Sequence, residues 1–110
     1  MTQDAKTLLG KKIKQLRNIT NTTQVDLMKA VGYTSTGMVS QIESGERGMT
    51  LEKITLAAKF FGVPESFLMN TQEYSDDDLA LLRKFTQIVE APADKKPPYY
   101  EAIRTLILGS

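Results

Sequence analysis

The sequence predicts an all-α protein: five short helices within the first seventy residues, then two amphipathic helices to the end. Three observations carry this. Apolar residues recur at helical spacing in segment after segment, as Leu9, Ile13 and Leu16 do. Helix start and stop residues punctuate the chain at short intervals, with Thr, Ser or Pro ahead of the apolar runs and Gly behind them. Strand signals are missing, since no alternating β-branched run exceeds three residues and neither Asn-Gly nor Asp-Gly occurs.

Each element has its own signal. Leu9, Ile13 and Leu16, with Ile19 at the same spacing, form one apolar stripe, with Lys11, Lys12 and Lys14 placed elsewhere, and the polar, β-branched run Asn18 to Thr22 breaks the helix. Thr23-Gln24-Val25-Asp26 reads as an N-cap with a carboxylate three residues on, a variant of the capping box. The second helix carries Leu27, Met28 and Val31 and meets Gly32, a natural C-cap. Thr34 to Gly37 starts a third helix, in which Val39 and Ile42 are an apolar pair before Ser44-Gly45 stops it. Thr50 caps a fourth, with Leu51, Ile54, Leu56, Ala57, Ala58, Phe60 and Phe61, ending at Gly62. Pro64 suits the first position of a short fifth helix holding Phe67 and Leu68. Ser75-Asp76-Asp77-Asp78 begins a sixth, its carboxylates facing the positive end of the helix dipole, and Pro92 marks its end. A seventh is expected from about Tyr99.

Composition bounds the function. The chain has 110 residues, 41% apolar and 25% charged, which is ordinary for one soluble domain. It has no Cys and no His. That removes thiol nucleophiles, disulfide scaffolds, Cys/His zinc sites and every Ser-His-Asp arrangement, so no enzyme is expected. The start Met-Thr-Gln-Asp-Ala-Lys has no apolar stretch behind it, and no segment approaches the roughly 18 apolar residues of a membrane span. A cytoplasmic location is expected. Net charge is +1, yet residues 1–70 carry nine Lys/Arg against six Asp/Glu, and residues 71–110 five against seven. Such asymmetry places any polyanion on the first part.

Short helices with a Gly-punctuated turn between the second and third make a helix-turn-helix pattern. The words Thr23-Gln24, Leu27, Gly32, Val39-Ser40-Gln41-Ile42-Glu43-Ser44-Gly45 and Phe61-Gly62-Val63-Pro64-Glu65-Ser66-Phe67-Leu68 then make it specific. Over roughly residues 8–69 the chain resembles the lambda-repressor/Cro-like (Xre) family of bacterial and phage DNA-binding regulators. The resemblance implies a five-helix DNA-binding domain over residues 1–70, and double-stranded DNA as partner.

The chemistry of the third helix agrees. Val39 and Ile42 anchor it, while Thr36, Ser40, Gln41 and Ser44 lie on the other side, and glutamine can grip adenine N6 and N7. Compared with the common family pattern, one extra residue sits between Gly32 and Met38. Base readout therefore starts at Ser35, Thr36 or Gly37, with Met38 next in the DNA-binding segment. Arg47, Lys53 and the basic residues of the first helix are candidates for phosphate contacts. By resemblance, Gln24 holds a phosphate and braces the recognition helix, and Arg17 pairs with Glu43 as a structural bridge. Met28 stands where the family usually has alanine, which suggests a wider crossing of the second and third helices.

For residues 71–110 two amphipathic helices could simply pack back on the DNA-binding domain, but a helical hairpin that pairs with a second copy is expected, through Leu79, Leu82, Phe85, Ile88, Val89, Tyr100, Ile103, Leu106 and Ile107. A symmetric dimer would read two half-sites of a palindromic operator, as a repressor does. The second reading is an antitoxin-type or antagonist-controlled autoregulator whose tail binds a protein partner. No cofactor and no metal is expected; Asp76-Asp77-Asp78 is explained by the helix dipole.

Overall fold

The computed structural model describes residues 1–90. They form six helices and no strand: α1 (Gln3–Ile19), α2 (Gln24–Val31), α3 (Thr36–Glu43), α4 (Leu51–Phe61), α5 (Glu65–Met69) and α6 (Asp76–Glu90). The expected seventh helix, with Tyr100, Ile103, Leu106 and Ile107, lies outside the described residues. Among the described residues no helix is long and apolar enough to cross a membrane.

The local chemistry sets the boundaries. Thr2 caps α1 by accepting from the Ala5 N–H at 3.1 Å, about two turns ahead of the apolar stripe. Thr23 and Asp26 close a reciprocal box at the start of α2: the Thr23 hydroxyl accepts from Asp26 N–H at 3.1 Å, and the Asp26 carboxylate accepts from Thr23 N–H at 3.0 Å. These bonds hold the Asp26 pKa below the usual aspartate value. Gly32, at φ +77°, ends α2 in the left-handed region that a side chain resists. Pro64 sits one residue earlier than expected, as the extended N-cap of α5, with φ −65° and ψ 147°. The Ser75 hydroxyl accepts from Asp78 N–H at 3.1 Å and starts α6.

One core joins all six helices. Leu9, Ile13 and Leu16 of α1 are buried against Leu27 and Val31 of α2, Val39 and Ile42 of α3, Ile54, Ala57 and Phe61 of α4, and Phe67 and Leu68 of α5. Met28 lies at the edge of this core, half-buried.

Two residues expected to serve a second chain are instead buried within this one. Leu79 is 0% exposed and belongs to the common core, and Phe85 is also buried. Polar bonds fix α6 in the same place. The Arg83 Nε donates to the Phe61 carbonyl at 2.7 Å, and the Gln15 amide donates to the Tyr74 carbonyl at 2.9 Å. The buried core therefore extends past residue 70 to Leu79 of α6. Without Leu79, the core where α6 packs on α1 would lose a fully buried side chain, and burying such a side chain contributes about 1.5–3 kcal/mol.

Candidate nucleic-acid interface

The turn Gly32 to Ser35 delivers the chain from α2 into α3. Val39 and Ile42 hold α3 to the core, being 1% and 2% exposed. The opposite face carries Gly37, Ser40 and Ser44, all exposed, with Thr36 and Gln41 half-buried beside them. Ser35 is the N-cap of α3 and exposed, without a side-chain capping bond. Met38 turns back over the turn, where its sulfur accepts from the Thr34 hydroxyl at 3.7 Å.

Behind that face runs a connected set of polar side chains. Arg17 donates from Nε to Glu43 Oε2 at 2.9 Å and from Nη2 to Glu43 Oε1 at 3.2 Å, a two-pronged pair that ties α1 to the end of α3. The hydrogen bonds it donates to Glu43 raise the Arg17 pKa above its usual value. Gln24, from the first turn of α2, donates to Glu43 Oε1 at 3.3 Å and accepts from the Ser40 hydroxyl at 3.2 Å. Arg17, Asn18, Asn21, Thr22, Gln24 and Thr36 line an open polar cleft of about 620 Å³ beside these groups. Arg47, in the loop after α3, donates from Nε to Gln41 Oε1 at 2.9 Å. The carbonyl end of the Gln41 amide is thus occupied by Arg47.

How close α3 can come to α1 is set by Gly10. A Cβ at that position would collide with the Ile42 carbonyl oxygen and stand 2.9 Å from that of Glu43. Gly45, at φ +84°, then turns the chain away, and its carbonyl accepts from the Gln3 amide at 3.0 Å.

A family model described as Helix-turn-helix matches residues 13–68, from the middle of α1 through α5. The chain belongs to the Xre/lambda repressor-like helix-turn-helix family. No curated protein and no solved structure matches it. As a helix-turn-helix protein of this type it is a DNA-binding transcription regulator, and the family is regulatory in kind rather than enzymatic.

Against that family background, several basic residues expected on the DNA side have other partners. Lys12 is fully buried. Its ammonium donates to the Phe67 carbonyl at 2.9 Å, the Asn70 carbonyl at 2.9 Å and Asn70 Oδ1 at 2.8 Å. The rings of Phe67 and Tyr74 lie 5.2 and 5.5 Å away. Burial pushes its pKa below the ordinary lysine value. Lys11 pairs with Glu73 at 3.2 Å. Lys53 donates to the Val31 carbonyl at 2.6 Å and stacks on Tyr33, closing the C-terminal end of α2. Lys14 and Arg47 keep exposed positions.

Two residues of α1 escaped sequence reasoning. Gly10 carries no turn signal, because its role is a close approach to a backbone more than thirty positions away. The burial of Lys12 is hidden by its lysine neighbours, although one signal was available: position 12 adjoins the buried Ile13 on the apolar side.

Proposed function

We propose that this helix-turn-helix regulator binds a palindromic operator as a homodimer and represses transcription by occupying promoter DNA. In this reading α3 enters the major groove, Ser40, Gln41 and Ser44 face base edges, and Arg47 and the α2 N-terminus face phosphates. One small unit reads too few base pairs to find a site in a genome, whereas two copies double the contacts. The supporting observation is on α6. Leu81 is 61% exposed, beside an apolar groove of about 370 Å³ bordered by Pro64, Phe67, Leu82 and Phe85. Ile88 and Val89 continue the half-buried apolar character toward the end of α6.

Sedimentation of the full chain at micromolar concentration tests the dimer, together with selection of bound DNA from a random pool. A dimer with a two-fold symmetric motif, its half-sites about 10 base pairs apart, is the expected result. Leu81→Asp should yield monomers that keep the wild-type helical circular-dichroism signal. A wild-type chain that sediments as a monomer and selects a single half-site would turn the reading toward the antitoxin-type alternative, in which a different protein covers this face.

A further inference from the structure

A serine hydroxyl that rotates freely can donate or accept, and therefore discriminates poorly between bases. Ser40 is not free in this sense, because the polar groups behind α3 form a chain with one possible direction. The guanidinium of Arg17 has only donors, so both oxygens of Glu43 accept from it. Glu43 Oε1 also faces the Gln24 amide at 3.3 Å, and a carboxylate oxygen tolerates only the NH2 end there. The Gln24 carbonyl is thereby turned toward Ser40 Oγ, 3.2 Å away. A carbonyl has no proton to give. Ser40 must supply its single proton inward, and toward solvent it presents lone pairs alone.

We propose that Ser40 reads the operator as an obligate hydrogen-bond acceptor, selecting a base with an exocyclic amine, adenine or cytosine, on the strand it faces. Gln24 is then a positioning residue for base readout: it fixes the polarity of a side chain on another helix. The inference rests on the reading that α3 lies in the major groove with Ser40 toward the bases. The guanine O6 and thymine O4 edges are disfavoured at this position, because oxygen would face oxygen.

The test is random-pool selection with the full chain, as wild type, Ser40→Ala, Gln24→Met and Gln41→Ala. Wild type should show one half-site position confined to adenine or cytosine, and Ser40→Ala should accept all four bases there. Gln24→Met removes the acceptor that captures the proton, so guanine and thymine should enter at that same position. Base preference is a ratio within one protein sample, so any loss of folded fraction cancels. Replacing the selected base by its analogue lacking the amine (purine for adenine, 2-pyrimidinone for cytosine) should cost wild type about fivefold in affinity and Ser40→Ala almost nothing. A guanine or thymine at the Ser40-dependent position overturns the proposal, as does an undiminished adenine/cytosine restriction in Gln24→Met. If neither Ser40→Ala nor Gln41→Ala changes any position, α3 is not in the groove. The reading of the interface then fails, and this inference with it.

Discussion

Arg17 and Glu43 meet side by side across α1 and α3, with two parallel N–H···O bonds of 2.9 and 3.2 Å and side-chain exposures of only 17% and 6%. A pair this sheltered is costly to break on one side, because the remaining charge has lost both its partner and its water. Glu43→Ala should therefore lower stability by roughly 1–4 kcal/mol. Chemical denaturation is the measurement. DNA affinity should fall mainly through the folded fraction, and recover when assayed at lower temperature. Wild-type melting together with lost DNA binding would place Glu43 on the binding surface instead.

Gly10→Ala opposes two effects of known size. Alanine in a helix interior is favoured over glycine by about 1 kcal/mol, so an unconstrained site would gain stability. Here the new methyl meets the Ile42 and Glu43 carbonyls, and those belong to backbone that cannot swing aside. Overpacking of this kind costs about 1–3 kcal/mol, and here the rigid neighbours favour the upper end. Net destabilisation is expected, with α3 displaced from α1. A thermal melt at or above the wild-type midpoint would mean that the two helices can separate without penalty.

The helices and the recognition unit were legible because their causes are local. A capping box lies within four residues, a left-handed C-cap is a single glycine, and the anchors Val39 and Ile42 share one helix face. What stayed hidden depends on partners distant in sequence. Lys12 reads as one of three solvated lysines until α5 and the Asn70 turn close over it. Leu79 has the same spacing as a dimer contact, and only the docking of α6 on α1 shows that the chain buries it alone. The residues on the outer face of α3 were legible as a set, but the hydrogen-bond direction among them was not, since it runs through Gln24 and Arg17 on two other helices.

Lys12→Met keeps the length and most of the volume of the side chain and removes its three donors. The carbonyls of Phe67 and Asn70 are then left inside without a partner, which should cost about 2–4 kcal/mol. The pH dependence has a definite sign. The folded pKa lies below the ordinary value of 10.5, so between those two values the unfolded chain holds more protons. The stability of wild type relative to Lys12→Met should therefore rise as pH increases toward 10.5. Paired urea titrations at neutral and alkaline pH measure it. The selected DNA motif should be the same for both proteins, because Lys12 lies in the core beneath α5.

Gln41 is expected to read a base, and Arg47 to decide which chemistry it reads with. The guanidinium can only donate, so the 2.9 Å bond occupies Oε1 of the Gln41 amide and leaves its NH2 end to donate elsewhere. An adenine grip needs the carbonyl to take a proton from N6 while the NH2 gives one to N7, and Arg47 competes for that carbonyl. Guanine, with acceptors at both O6 and N7, suits an amide that has only its NH2 end to offer. Gln41→Ala should accordingly cost about 1–3 kcal/mol against the preferred operator and relax one or two positions per half-site. Arg47→Ala should act differently at those positions, shifting the preference from guanine toward adenine as the carbonyl is released. It should also reduce the salt dependence of binding by about one charge if Arg47 reaches a phosphate as well. Competition binding on the operator and its single-base variants, at two salt concentrations, separates these outcomes. An unchanged specificity profile for Gln41→Ala would take Gln41 out of base readout and move its share to Ser35, Thr36 and Gly37, where α3 begins.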